Sequence, residues 1–261
     1  MFDYRLSPKE IAMLISICKN RTTLQELSDQ ISLSYSRTSE LVTTLEKKGF
    51  IKKSKQLKKT IKRKKNEHTQ KFCNLKTTFP HIDWKNTLSH SKTEILTQIC
   101  HEPTTIDDLQ KITKKTKRTI RDNLKKPLEI GIVKQQNSEL NTTKRFSPLC
   151  SFLKSWRYYY DLTLVEKTAP NSTIIQQCGL EFIIESDKPI SSKHFTETGP
   201  SYLSKIDDQL LYTSYTYIYT KREIDLKEHL KNTLKITTDR RIYKASKNIA
   251  ENNNIKLEDI T

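Results

Sequence analysis

The sequence predicts a mostly α-helical protein with small β ribbons, in which a module of three helices and a hairpin occurs twice and a small α+β domain follows. Three observations lead there. Two segments 82 residues apart end alike, Lys47-Lys48-Gly49-Phe50-Ile51-Lys52 and Glu129-Ile130-Gly131-Ile132-Val133-Lys134. The same offset, applied backwards without a gap, lays Leu14 on Leu96, Ile17 on Ile99, Cys18 on Cys100, and Thr-Thr-Leu-Gln-Glu-Leu at 22–27 on Thr-Thr-Ile-Asp-Asp-Leu at 104–109. Beyond Pro170-Asn171-Ser172 the pattern changes to alternating strand-like runs.

In the first copy, Ser7, Pro8 and Glu10 supply a cap, a first-turn proline and a first-turn acid, and Ile11, Leu14, Ile15 and Cys18 follow at helical spacing. Thr23 and Glu26 have the spacing of a capping box, which opens a short helix with Leu24, Leu27 and Ile31 inward. A third helix is predicted from near Ser34 to Lys48, with Thr38, Leu41, Val42 and Leu45 on one face and Gly49 as its left-handed stop. Residues 50–55 and 60–64 then pair as a hairpin. The second copy repeats this with helices at 93–100, 105–112 and 116–130 and a hairpin from 132–136 and 141–146. Pro127 threatens to kink or shorten its third helix, because it lacks a donor and crowds the preceding turn.

Between the copies a short helix and a turn are expected, with Trp84 and Leu88 packing under the second module. After the second hairpin, 148–162 reads as a helix with Leu149, Phe152, Leu153 and Trp156 inward, and Tyr158-Tyr159-Tyr160 as packing at a junction. The C-terminal region offers β-rich runs at 174–185 and 210–220 and helices at 225–234 and 239–250. The resulting division is 1–66 for the first module, 67–86 for a linker with a short helix, 87–161 for the second module and 162–261 for the α+β domain, which is assigned to sensing or dimerisation.

Of 47 Lys and Arg against 30 Asp and Glu, residues 170–261 hold 13 of each, so the net charge of +17 lies in the first 169 residues. A basic part joined to a neutral part suggests a polyanion as partner of the former, because cations that neutralise phosphates release condensed counterions. The N-terminal residues lack an apolar signal core, and no long apolar run occurs, so the expectation is a cytoplasmic protein without membrane insertion. Cys18, Cys73, Cys100, Cys150 and Cys178 are widely spaced and are read as reduced thiols, mostly buried.

The repeat resembles the winged helix-turn-helix regulators of the MarR and ArsR type, and the tandem winged-helix regulators common in archaea. The resemblance rests on Thr-Thr-Leu-Gln-Glu-Leu-Ser at 22–28, Leu-Glu-Lys-Lys-Gly-Phe-Ile at 45–51, Pro-His-Ile-Asp-Trp at 80–84 and the run at 104–109, and it covers about the first 160 residues. It implies two tandem winged helix-turn-helix modules followed by the small α+β domain, and double-stranded DNA as partner. The first wing would carry Lys52, Lys53, Lys55, Lys58, Lys59, Lys62, Arg63, Lys64 and Lys65 with no acid between them, a ribbon suited to phosphates on both sides of a groove. The third helices would read the major groove, with Ser34, Tyr35, Ser36, Arg37 and Ser39 in the first copy and Lys114, Lys115, Lys117, Arg118 and Arg121 in the second.

Signatures of an enzyme do not occur: there is no glycine-rich phosphate loop, no GxSxG and no HExxH. The six histidines make no ligand pattern, and Asp207-Asp208 and Glu258-Asp259 are adjacent and would point apart. The expectation is therefore a transcriptional regulator without catalytic residues, cofactor or metal. A homodimer is expected through the C-terminal domain, because the tyrosine-rich run 210–220 would invite pairing if left at a sheet edge. Other classes fit the same basic modules: an antitoxin-like or scaffold protein that grips an acidic partner, or a binder of structured RNA or of chromosomal DNA without sequence preference.

Overall fold

Ser7 and Glu10 cap each other at the start of α1 (Pro8–Lys19): the Glu10 amide donates to Ser7 Oγ at 3.2 Å and the Ser7 amide donates to Glu10 Oε2 at 2.7 Å. The computed structural model describes residues 3–19, 22–53, 60–207, 210–256, 258 and 260. After α1 comes β1 (Thr22–Thr23), and the reciprocal Thr23 and Glu26 bonds then open α2 (Leu24–Ile31). Ser32 ends α2 in the left-handed conformation, φ +52°. Ser34 caps α3 (Tyr35–Lys47), which buries Thr38, Leu41, Val42 and Leu45. Gly49, φ +77°, turns the chain into β2 (Ile51–Lys53) and β3 (Thr60–Arg63). These strands and β1 form an antiparallel sheet in the order β1-β3-β2.

Asn66 caps α4 (Glu67–Thr78), a helix of 12 residues where the sequence suggested a short one, and α5 (Trp84–Thr87) follows. The second copy then consists of α6 (Ser91–His101), β4 (Thr104–Thr105), α7 (Ile106–Thr113), α8 (Lys117–Glu129), β5 (Val133–Gln136) and β6 (Glu139–Thr142), with sheet order β4-β6-β5. The second and third helices, their threonine or serine caps and the left-handed residues Lys114 (φ +57°) and Gly131 (φ +73°) all lie 82 positions from their counterparts. Strand pairing repeats as well: Thr22 faces Ile61 as Thr104 faces Leu140, and Ile51 faces Arg63 as Val133 faces Thr142. The two registers differ by three residues in hairpin length, the first being longer.

Several expectations need correction. The second hairpin turns at Asn137 and Ser138, φ +48° and +70°, a two-residue turn that starts β6 at Glu139, before residue 141; Lys144–Phe146 is a 3-10 helix and not a strand. Pro127 lies within α8 and does not end it, since in the last turn it forfeits at most one bond. The reduced-thiol reading fails for four cysteines: Cys18 on α1 is bonded to Cys73 on α4, and Cys100 on α6 to Cys150, with Cα atoms 5.4 and 5.0 Å apart. Separations of 55 and 50 residues hid these bonds, because no local spacing announces a link made by two helices packing side by side.

Cys150 belongs to α9 (Ser147–Thr168), whose Leu149, Phe152, Leu153 and Trp156 are buried as predicted. Phe50, the residue after Gly49, packs its ring 4.7 Å from Trp156, and Phe72 of α4 lies 5.2 Å from Phe152. Residues of the first copy, α4 and α9 thus share one aromatic core. The N-terminal segment seals it: Trp156 Nε1 donates to the Tyr4 carbonyl at 3.1 Å, and the His90 amide donates to the Leu6 carbonyl at 2.7 Å. Trp84, expected under the second module, is buried on a helix that packs against α1 of the first, and its Nε1 donates to the Phe79 carbonyl.

The chain divides into two compact units, Met1–Tyr160 and Asp161–Thr261. The second holds β7 (Ser172–Cys178), β8 (Glu181–Ser186), β9 (Phe195–Glu197), α10 (Gly199–Leu203), β10 (Tyr215–Tyr219), α11 (Leu226–Ile236) and α12 (Arg240–Asn252). Its antiparallel sheet runs β7-β8-β10-β9 over a core of Leu164, Val165, Phe182, Ile184, Phe195 and Tyr217. The tyrosine-rich strand is therefore interior, bonded to β8 on one side and β9 on the other. That removes the physical basis given for dimerisation through it. As a whole the chain is mostly helical with small antiparallel sheets.

Candidate nucleic-acid interface

The first hairpin separates its residues by face. Ile51 and Ile61 are buried at 2% exposure each, so the alternate positions Lys52 and Lys62 point outward. These two lysines stand directly opposite each other in the register. Like charges so placed repel, a local cost of about 0.2–1 kcal/mol that an anionic partner would relieve. Arg63, Lys64 and Lys65 continue the exposed basic run, and none of the five makes an ion pair among the described residues. Lys53 departs from them: its ammonium lies 2.8 Å from Thr43 Oγ1 and 3.3 Å from the Glu46 carboxylate, folded back onto α3. Lys55, Lys58 and Lys59 lie outside the described residues.

At the start of α3, Ser34, Tyr35, Ser36 and Arg37 are exposed and Ser39 is half-buried. The cap itself engages Ser34, whose Oγ accepts the Arg37 amide at 3.3 Å, and the Arg37 guanidinium pairs with Glu40 at 2.5 Å. Tyr35, 52% exposed, presents an unusual amount of aromatic surface to solvent. Buried Thr38 donates its hydroxyl to the Ser34 carbonyl at 2.9 Å, which fixes the first turn beneath these residues.

The corresponding turn of the second copy is more basic but more heavily paired. Lys115 is half-buried against Glu94 of α6 at 2.9 Å, and Lys117 pairs with Asp107 of α7 at 2.6 Å, holding that carboxyl below its usual range through the hydrogen bond. Lys114, Arg118 and Arg121 remain exposed. Sequence spacing held no sign of the two pairings, which tie Lys115 of the α7–α8 turn to α6 and Lys117 of α8 to α7. The second hairpin places Lys134 opposite Asn141, whose amide donates to Glu139 at 3.3 Å, so its outer face mixes signs.

Burial lowers the pKa of two histidines of the first unit. Burial, assisted by the Lys64 charge, pushes His68 down to about 4, and its ring lies 4.8 Å from Phe50 and 4.6 Å from Tyr159. His101 is likewise pushed down to about 4 by burial and by Lys154 and Arg157. Neither has the company of a metal site: among the described residues no group of three or more His, Cys, Asp or Glu side chains is arranged to hold an ion. No helix among those residues is long and apolar enough to cross a membrane. No family model matches the chain, and neither does any curated protein or solved structure.

Proposed function

We propose that this chain is a double-stranded DNA-binding transcriptional regulator, not an enzyme, built from two tandem winged helix-turn-helix modules. In this reading α2–α3 and α7–α8 are the helix-turn-helix pairs, α3 and α8 enter major grooves, and the β2–β3 hairpin is a wing that grips phosphates. The observation that carries it is the basic run of that hairpin, where Lys52 opposes Lys62 on the outer face and the exposed Arg63, Lys64 and Lys65 follow without an acid. Support also comes from the repetition, which supplies two exposed polar helix starts on the same framework. We place the protein in the cytoplasm; its two disulfides restrict that to cells whose interior tolerates them, as in hyperthermophiles.

The test is a titration of random-sequence duplex by fluorescence anisotropy at several salt concentrations, comparing the chain with its Lys62→Gln/Arg63→Gln/Lys64→Gln/Lys65→Gln variant. For every phosphate that the variant no longer neutralises, the slope of log affinity against log salt flattens by about 0.9. A variant with unchanged affinity and slope overturns the role given to the wing. Parallel titrations with structured RNA decide between duplex DNA and an RNA-binding role.

A further inference from the structure

The end of β3, the turn after it and one face of α4 enclose a cleft of about 490 Å³, lined by Arg63, Lys64, Lys65, Gln70, Asn74 and Thr77, with Cys18 and Cys73 in its wall. Gln70, Cys73, Asn74 and Thr77 recur at steps of three and four, so α4 presents them together. The cleft's composition is polarised. Three cations stand along the strand side, two amides and a hydroxyl along the helix side, and among the described residues no carboxylate lines it. The disulfide ties α1 to α4 where both contribute to the wall.

A cleft of this size falls in the usual range for small-molecule sites, about 300–1,000 Å³. It is far roomier than one backbone phosphodiester requires. Cations suit phosphoryl oxygens, and side-chain amides with a hydroxyl suit the hydroxyl groups and base edges of a polar body attached to the phosphate. We propose that this cleft binds a small phosphorylated ligand of nucleotide size, its phosphate on Arg63, Lys64 and Lys65 and its body against Gln70, Asn74 and Thr77. Because the cations are shared with the wing, ligand and duplex compete, and by linkage each weakens the other to the same degree. The competition rests on the DNA-binding reading above, whereas the site does not.

Calorimetric titration of the full chain with inorganic pyrophosphate, AMP, ADP and GDP tests the site. The result expected is saturable binding of at least one nucleotide at one per chain. Lys64→Glu, a change at an exposed position, should weaken nucleotide and pyrophosphate alike by about tenfold or more, as expected when a charge-assisted hydrogen bond is removed. Asn74→Leu should weaken the nucleotide and spare pyrophosphate, since Asn74 faces the body and not the phosphate. Absence of saturable binding, or nucleotide affinity indifferent to both substitutions, overturns the proposal. So does an Asn74→Leu chain that loses duplex affinity while wild type takes up no nucleotide, because the cleft would then belong to the nucleic-acid backbone. Nucleotide binding by a chain that binds no duplex supports the site and sinks the DNA reading.

Discussion

The two copies of the repeat, 8–63 and 91–142, share a framework and differ in what they display on it. Leu27 and Leu109, 82 positions apart, are both fully buried, and Thr38, Val42, Ile120 and Leu124 fill equivalent places beneath α3 and α8. Outside that core the chemistry diverges. The first copy opposes Lys52 to Lys62 on a longer hairpin and starts its third helix with hydroxyls and an exposed tyrosine. The second opposes Lys134 to Asn141, and ties Lys115 and Lys117 to acids of its own module. Packing keeps these interior positions buried while their residue types vary, as Thr38 and Ile120 do, and the solvent-facing positions differ in charge. On the proposed function, the first copy grips and the second adds a more restrained set of contacts.

The comparison can be broken most severely at the disulfides. Each joins the first helix of a copy to the helix after its hairpin, and the loops closed span 55 and 50 residues. In the chain-entropy account each bridge is worth about 4 kcal/mol, with almost no difference between them. Cys18→Ala/Cys73→Ala and Cys100→Ala/Cys150→Ala should therefore lower the stability of the first unit by similar amounts in urea unfolding. A large drop for one pair beside none for the other would show that the copies are not braced alike.

A smaller effect separates two glycines whose backbones match. Gly49 and Gly131 both hold left-handed φ, +77° and +73°, so an added Cβ costs each about 1–2 kcal/mol. Around them the copies differ. A Cβ on Gly49 would come within 2.5 Å of the Tyr159 hydroxyl oxygen, whereas one on Gly131 meets nothing within 4 Å. Tyr159 is held by ring contacts with His68 and Trp156 and yields poorly, which adds about 1–3 kcal/mol of overpacking. Thermal unfolding of Gly49→Ala and Gly131→Ala should rank them in that order. Equal destabilisation would mean that the Tyr159 ring gives way freely.

How much of this was legible in the sequence follows from where the information lies. Caps, left-handed stops and the 82-residue offset depend on residues close in sequence, and the predicted helix at 34–48 and its inward Thr38, Leu41, Val42 and Leu45 match α3 almost residue for residue. Two left-handed residues in a row, Asn137 and Ser138, are equally local, yet Asn-Ser is a weaker turn signature than Asn-Gly and does not announce that the predicted hairpin turns in two residues. The disulfides, the Lys115–Glu94 pairing and the interior place of β10 depend on how helices and strands pack, which spacing does not encode. At the candidate interface the exposed cations at 62–65 could be read directly, but Gln70, Asn74 and Thr77 lie partly in a stretch that looks like a polar connector. Their common face on α4 is visible only once the helix is known to run unbroken to Thr78.

The smallest effect sharpens the comparison most, because it exchanges the character of the two hairpins. Lys62→Asn gives the first hairpin the lysine-to-asparagine pairing of the second, and Asn141→Lys gives the second the two opposed lysines of the first. Cross-strand like charges cost about 0.2–1 kcal/mol, so Lys62→Asn should stabilise the free protein slightly and Asn141→Lys should destabilise it to a similar extent. The destabilisation is compounded by removal of the Asn141 bond to Glu139, although the new lysine gains that carboxylate as a neighbour, which blunts it. Both changes should shrink in high salt, where exposed charges are screened. Duplex affinity should move against stability: weaker for Lys62→Asn and stronger for Asn141→Lys, each with a change of about 0.9 in salt slope. Chemical denaturation and anisotropy on the same two variants read both quantities. Should Lys62→Asn leave the free protein less stable, the opposition of Lys52 and Lys62 is no cost carried for a polyanionic partner, and the difference between the two hairpins loses its functional meaning.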